Sequence, residues 1–273
     1  PQRKDTLLLA RSVVCDIRMM PLLRGKVEVD VLQLDGVRLN TMDMIADCRV
    51  DGRVGQAVVE IHTLDLKHDS VIVNTASLTD ADLDICLSDT AQKDTAESRT
   101  PWVVAVAKAS VSRSRVMLHL PGDTLNIEGR IGDIVVDNAL LDLAEGVYSV
   151  SDIDIRRCGV RYDNRFEPRT KGMDYNHLAF TEMNVGVDSL YYSPDGMKVR
   201  LRACNMKEKS GFALSSLTFV ASMDADRLHV HGFNLLTPYS TVSADVDMDF
   251  TTFDKTNPGK ARAAFKASVG ADD

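Results

Sequence analysis

The stretch Lys26–Asn40, KVEVDVLQLDGVRLN, carries the pattern that decides the fold. Its first six residues alternate between charged and apolar, the alternation changes phase at Leu32, and Gly36 interrupts it once more before the last apolar pair. A period of two is typical of a β-strand that has one face in water and one face against apolar surroundings. The segment therefore predicts strands with two chemically different faces.

The same alternation recurs along the rest of the chain, between short segments rich in Gly, Asn, Asp and Pro. Repeated strands of this kind predict an all-β protein. We expect one short helical turn, over Asp16–Arg24, and two loops, over 88–101 and 163–177. The alternating apolar positions include Leu83, Ile85 and Leu87; Val116, Leu118 and Leu120; Val199 and Leu201; Leu228 and Val230; and Val242, Ala244, Val246, Met248 and Phe250.

Composition excludes several classes of protein. The 273 residues are 44% hydrophobic and 26% charged, which is typical of a folded chain and not of a disordered or coiled-coil one. Forty acidic residues against 32 basic ones give a net charge of -8, so we expect no nucleic-acid partner. No apolar run approaches the roughly 18 to 20 residues of a membrane span, and we expect none in this segment.

The five cysteines are scattered and odd in number, so they cannot all be paired within one chain. We interpret them as small buried hydrophobic residues. The chain starts at Pro1 without a methionine or a signal peptide, and we expect it to be a piece of a longer protein.

An internal repeat links two parts of the chain. Val50–Gly55, VDGRVG, matches Ile127–Gly132, IEGRIG, and Leu64–Leu66 matches Leu141–Leu143 with the same offset of 77 positions. Repeated multi-strand units predict an elongated solenoid. We therefore expect one continuous segment over residues 1–273, with approximate units 1–95, 96–165 and 166–273.

The paired glycines inside these repeats, Gly52 with Gly55 and Gly129 with Gly132, do not form a phosphate-binding motif. We expect each pair to make a hairpin turn between strands, where a left-handed backbone conformation favours glycine.

A sheet with one apolar face must cover that face with something. A second sheet would make a β-sandwich, whereas a curled sheet could leave an open trough for acyl chains. The apolar positions are mainly aliphatic, and aromatic residues make up only 5% of the chain. Aliphatic walls suit both an ordinary core and flexible hydrocarbon, and on periodicity alone the sandwich is favoured.

The sequence gives only weak indications of metal binding or catalysis. His229 and His231 share one face of a predicted strand, which is possible metal geometry, but we interpret them as part of a wet face and expect no metal. The acidic rows at residues 80, 82 and 84 and at 245, 247 and 249 are likewise interpreted as solvated outer surface. Nothing brings a catalytic set of residues together, so we expect neither an enzyme nor a cofactor.

Several motifs resemble the AsmA-like superfamily, and most closely its translocation and assembly module (TamB) proteins of Bacteroidetes-type Gram-negative bacteria. The block Asp16–Asn40, with its Leu-Leu-Arg-Gly turn leading into Leu-Gln-Leu-Asp-Gly-Val-Arg-Leu-Asn, is similar to the entry segment of that family. Val73–Leu87, Ser210–Leu217 and Thr237–Ser240 extend the resemblance.

The resemblance implies a periplasmic segment of a protein anchored in the inner membrane. It implies an elongated, twisted and curled β-sheet whose apolar inner face carries phospholipid acyl chains between the inner and outer membranes. It also implies an outer-membrane partner of the BamA/TamA-like barrel type, contacted through regions outside this segment. With the resemblance included, the open trough is favoured over the sandwich.

The residues expected to line the trough alternate along the predicted strands. They are Val27, Val29, Val31, Leu64, Leu66, Leu83, Ile85, Val116, Leu118, Leu141, Leu143, Val199, Leu201, Val246 and Met248. Two alternatives to a lipid conduit stay open. One is a scaffold that guides outer-membrane β-strands by edge pairing during protein assembly, and the other is a closed β-sandwich structural module.

Overall fold

The structure, a computed structural model, describes residues 8–17, 29–41, 48–65, 68–87, 102–120, 124–253, 256 and 258–271. Within these residues the regular structure is a single mixed sheet and one short 3-10 helix, Phe250–Phe253. The strands are β1 (Leu8–Leu9), β2 (Ser12–Ile17), β3 (Val29–Asn40), β4 (Cys48–Asp65), β5 (Ser70–Leu87), β6 (Val103–Leu120), β7 (Leu125–Asp142), β8 (Val147–Asn164), β9 (Ala179–Ser193), β10 (Gly196–Glu208), β11 (Ala213–Leu214), β12 (Ser216–Asp224), β13 (Arg227–Leu236), β14 (Thr241–Asp249) and β15 (Ala261–Ser268).

Neighbours in the sheet follow the order of the chain almost throughout. Strands β1 and β2 both pair with β3 at one edge, and the order then runs from β3 to β10 and on through β12 to β15, with β11 as a short side pairing on β10. All pairs are antiparallel except β5 with β6, which run parallel. The connection between these two, the predicted loop 88–101, lies outside the described residues.

The expected fold class is confirmed. The sheet is open, mixed and not closed into a barrel, and its main path contains 13 strands. At about 4.8 Å between neighbouring strands, this path is roughly 58 Å long. Within the described part of the chain no second sheet packs against it, so the β-sandwich alternative does not hold for these residues.

Two local expectations have different outcomes. The segment between β8 and β9 consists of turns and bends, in agreement with the loop predicted over 163–177. The helical turn predicted over Asp16–Arg24 begins instead in a strand, because β2 continues to Ile17, and residues 18–24 lie outside the described part.

The matched sequence segments occupy equivalent strands. Strands β4 and β7 are both 18 residues long and start 77 positions apart, at Cys48 and Leu125, and β5 and β8 are related in the same way. The paired glycines therefore lie inside strands, and the prediction of hairpin turns is wrong.

Glycine is needed at two of these positions because a neighbouring strand approaches closely. A Cβ atom on Gly55 would lie 2.7 Å from the Cβ of Asp80, and one on Gly132 would lie 2.6 Å from the carbonyl oxygens of Arg156 and Arg157. The glycines leave room for a backbone irregularity in the adjacent strand.

That irregularity is a line of left-handed residues that crosses the sheet. Its members all have a positive φ and all sit where the pairing register skips a residue or shifts; they are Gly36, Asp80, Arg113, Arg157 and Glu182. An extra residue of this kind bends the strand and increases its twist. Because the bends stand side by side in neighbouring strands, the sheet itself folds along this first bend line.

A second bend line runs parallel to the first, about six residues further along the strands. Its clearest member is Asn138 of β7, with φ 52°. The pairing of β6 with β7 skips Ala107 and Asn138, and the pairing of β7 with β8 skips Asn138 and Ser151. The two lines divide the sheet into three panels.

The best-packed part of the molecule lies at the first bend. Val37, Val54 and Ala81 are 4%, 7% and 3% exposed and form one cluster. Partly buried apolar residues from both sides of the bend pack against it: Ala10, Leu34, Leu39, Ala57, Leu78 and Leu83. The apolar side chains of adjacent panels thus face each other across the bend.

Asn138 gives a direct test of the bend. Its side chain is exposed, so a substitution changes mainly the backbone preference. We expect Asn138→Val to lower the free energy of unfolding by about 1 to 2 kcal/mol, because a β-branched residue is disfavoured in the left-handed region. Asn138→Gly, the control, should leave it unchanged within about 0.5 kcal/mol. Urea denaturation followed by circular dichroism measures both; equal stability of the two variants would contradict the left-handed assignment.

Candidate functional site

One face of the sheet, which we call the inner face, is a continuous apolar surface. Cross-strand partners point to the same side of a sheet, so the pairing register traces the surface from strand to strand. One row runs beside the first bend line from β3 to β10 without a polar side chain. Its members are Leu34, Ala57, Leu78, Val111, Ile134, Ile155, Val185 and Cys204.

The remaining rows of the inner face have the same character. In the middle panel, the next row is Leu32, Val59, Ala76, Ala109, Val136, Ile153, Val187 and Leu201. Beyond the second bend line runs a row of Val73, Val106, Ala139, Val150, Leu190 and Val199. On the other side of the first bend lie Leu83, Val116 and Val160, followed by Ile85, Leu118 and Ile127.

The inner face is apolar but not covered. Most of its residues are only half-buried, and no side chain of the described residues is fully buried. The chain exposes 18,144 Å² of surface, whereas a compact protein of 30.0 kDa exposes about 11,700 Å². No described element packs over the inner face. The described residues thus leave a wide, aliphatic surface uncovered, and extended apolar surfaces of this kind are typical of interaction sites.

Most of the expected lining residues lie on the inner face. The register places ten there: Leu64, Leu83, Ile85, Val116, Leu118, Leu141, Val199, Leu201, Val246 and Met248. Leu143 lies in the turn that follows β7. Val27 and Leu66 lie outside the described residues.

The other two expected lining residues are in β3, at the phase change of the sequence. Val31 pairs with Glu60 and Asp16 and points away from the face that carries Leu32 and Leu34. Val29 starts the strand, separated from Val31 by a register shift against β2. The apolar residues of β3 that face inward are therefore those that alternate from Leu32 onward, and not those that alternate up to Val31.

Apart from Leu201, sequence reasoning missed the middle panel. Its residues, such as Leu78, Val111 and Ile134, stand three positions from the next inner residue across the first bend, where strict alternation would give two. The signal was present in β5 and β8, where apolar residues recur with spacings of two interrupted twice by a spacing of three. A search for strict alternation passes over such strands.

The opposite, outer face is held together by charge pairs between parallel strands β5 and β6. Asp80 accepts hydrogen bonds from Arg113 at 2.8 Å, Asp82 from Arg115 at 3.0 Å, and Asp84 lies 3.1 Å from His119. The bond from Arg113 lowers the pKa of Asp80. The acidic row expected to be solvated is thus on the outer face, and it is paired with two arginine side chains and one histidine.

Glu128 is the one buried carboxylate of this charge ladder. Its side chain is 9% exposed, and its Oε1 accepts hydrogen bonds from Arg130 at 3.0 Å and Arg115 at 3.2 Å. Burial alone would raise the pKa of Glu128, but the bonds from these two guanidinium groups outweigh it and lower the pKa below 4.5.

The cysteines only partly meet the expectation of burial. Cys158 and Cys204 are buried, and burial raises the pKa of the Cys204 thiol. Cys48 and Cys86 are half-buried, whereas Cys15 in the edge strand β2 is exposed. All five are free thiols.

Comparison with known proteins identifies no relative: no family model matches the chain, and no curated protein matches it. In the described residues there is no helix that is both long enough and apolar enough to cross a membrane.

Glu128 also makes the stability of the fold depend on pH. Because its pKa is lower in the folded state than in the unfolded one, it stabilises the fold above the unfolded value near 4.5, and this stabilisation is lost as the pH falls through the folded value. We expect Glu128→Gln to cost about 1 to 3 kcal/mol at pH 7, and the difference from wild type to shrink below pH 4.5. Urea titrations across this pH range measure it. Glu145→Gln, in the exposed turn after β7, is the control and should cost nothing at either pH.

Proposed function

We propose that this segment binds the acyl chains of phospholipids on its inner face and provides a passive path along which they move. The proposal rests on one observation: an aliphatic surface that extends across the strands from β3 to β14 and that no described element covers. Hydrocarbon gains about 0.8 kcal/mol for each methylene group removed from water. It needs no directional polar partner, so rows of Val, Leu, Ile and Ala are suitable.

The dimensions agree with this use. The middle panel, between the two bend lines, is about six residues or roughly 20 Å wide. One leaflet of a membrane has a hydrocarbon layer about 15 Å deep, half of the 30 Å core. An acyl chain can therefore lie across the panel or along it. Lateral movement meets no barrier, since the rows repeat and none of the aliphatic rows of the middle panel carries a charge.

The contrast between the faces favours a lipid over a second protein core. Charge pairs such as Asp82 with Arg115 keep the outer face hydrated, while the inner face offers mainly aliphatic contact. Lipid head groups can stay in water at the open side while the chains are removed from it. The role is non-enzymatic.

We place this path in the envelope of a Gram-negative bacterium, as a periplasmic part of an inner-membrane-anchored protein of the TamB or AsmA-like type. In this setting phospholipid passes between the inner and outer membranes, and a BamA/TamA-like barrel receives it through regions outside this segment. This context follows from the sequence motifs described above.

A second function is favoured by a different observation. Among the described strands, β15 (Ala261–Ser268) pairs only with β14, and all eight of its residues are exposed. An open edge of this kind can add a further strand by backbone hydrogen bonding. The segment would then act as a scaffold for outer-membrane protein strands.

Two adjacent residues of β6 allow the inner and outer faces to be tested separately by mutation. Ala109 points inward, between Ala76 and Val136, whereas Ser110 points outward, between Ser77 and Val135. We expect Ala109→Asp to reduce co-purified phospholipid at least about tenfold, because a carboxylate against acyl chains costs several kcal/mol. Ser110→Asp adds the same charge one residue away on the hydrated face and should leave the lipid content unchanged.

The measurement is mass spectrometry of lipids extracted from the natively purified segment, with an unrelated β protein purified in parallel as background. Circular dichroism checks that both variants fold. Wild-type protein that is folded, monodisperse and free of lipid would overturn the conduit. Binding of an extended outer-membrane strand peptide, measured by fluorescence anisotropy and unaffected by Ala109→Asp, would then favour the scaffold.

A further inference from the structure

A cluster of histidine and aspartate side chains lies on the outer face of β13 and β14, away from the apolar trough. His229 and His231 are two residues apart on β13, so both point outward, and their rings stack with centroids 6.2 Å apart. Asp247 of β14 is the register partner of His229. Sequence alone could place the two histidines together but not the carboxylate between them.

The distances in this cluster suit a small cation. The Oδ1 atom of Asp247 lies 2.5 Å from Nδ1 of His229 and 3.7 Å from Nε2 of His231. One ligand atom from each of the three side chains falls within 4.8 Å of the others. Three ligand atoms at about 2.0 to 2.2 Å from a tetrahedral zinc ion stand roughly 3.3 Å apart. Small side-chain rotations would therefore bring all three into coordination.

A fourth residue, Asp245, lies beside the second histidine. Asp245 lies 3.7 Å from Nδ1 of His231, on the ring nitrogen opposite to the one that faces Asp247. Its Oδ1 also accepts a hydrogen bond from the backbone N–H of Gly232, at 2.8 Å. A carboxylate that holds the outer nitrogen of a ligand histidine is a recurrent feature of zinc sites, because it fixes the ring and its tautomer.

The side chains are also accessible. His229 and Asp247 are 35% and 42% exposed, and His231 is 57% exposed. An ion can thus enter from solvent and retain a water molecule as its fourth ligand. Imidazole and carboxylate together are a donor set that zinc accepts and that magnesium or calcium would not prefer.

We propose that His229, His231 and Asp247 form a zinc site that clamps β13 to β14, with Asp245 as the residue that positions His231. The site is independent of lipid binding, because the residues on either side of the histidines, Leu228 and Val230, belong to the inner face. It joins the two strands that precede the edge strand β15.

One neighbour competes with the ion. Arg262 of β15 is the register partner of Asp247, so its positive charge repels a cation bound to that carboxylate. Removing the arginine should therefore strengthen zinc binding, which a purely structural role for these histidines would not produce.

The experiment is calorimetric titration of Zn²⁺ into the whole chain, metal-free and reduced. We expect His231→Asn or Asp247→Asn to remove one equivalent of bound zinc or weaken it at least about tenfold, and Asp245→Asn to weaken it about tenfold. Arg262→Gln should tighten it. His68→Asn is the matched control, because His68 lies 2.6 Å from Asp65 in a turn but belongs to no group of three potential ligands among the described residues.

Substitution with Co²⁺ gives an independent readout, since a tetrahedral nitrogen and oxygen site produces strong visible absorption that His231→Asn should abolish. Circular dichroism of each metal-free variant confirms that it folds. The proposal is overturned if wild type binds no zinc. It is equally overturned if the zinc that it binds is unaffected by His231→Asn and Asp247→Asn, which would place the ion on the thiols or elsewhere.

Discussion

Backbone hydrogen bonding between neighbouring strands is the constraint on which the rest of this structure depends. A sheet without a second layer has no three-dimensional core, and the described residues contain only seven buried apolar side chains. The long ladders of β4 to β8, each 18 residues, therefore carry the order of the molecule. Cross-strand pairs add to them on both faces: aliphatic rows inside, and ion pairs such as Asp80 with Arg113 outside. Stability of this kind grows by addition of strands, as in other repeat proteins.

The two bend lines curve the sheet, and this curvature creates a concave apolar surface. A flat sheet would leave its apolar face entirely in water, and the side chains of different panels would not meet. At the first bend, Val37, Val54 and Ala81 are nearly buried because residues on either side of the line pack against them. Elsewhere on the inner face the side chains stay half-buried. The bend thus stabilises the concave shape without filling it, and leaves apolar area for hydrocarbon.

The sequence predicts the fold class and much of the inner face, and the reasons for the misses are local. Alternation in Leu83–Leu87 or Val116–Leu120 identifies the face correctly because these stretches contain no bend. It fails at Val31, where the phase changes within a single strand, and at Gly52 and Gly55, where glycines that look like turn residues provide space beside a neighbouring strand. The meeting of Asp247 with His229 depends on strand register, which composition and spacing do not determine.

The spacing of three at each bend determines how the sheet responds to the insertion or deletion of a residue. Within a regular strand, loss of one residue would reverse the faces of everything beyond it. At a bend the extra residue belongs to neither face: removing Asp80 would place Thr79 next to Ala81 and restore the ordinary alternation with Leu78 still inward. The curvature of the trough is therefore encoded by one residue per strand at each bend, separately from its lining. Insertion or deletion of single residues at the bends can therefore deepen or straighten the trough without changing which residues form its apolar surface.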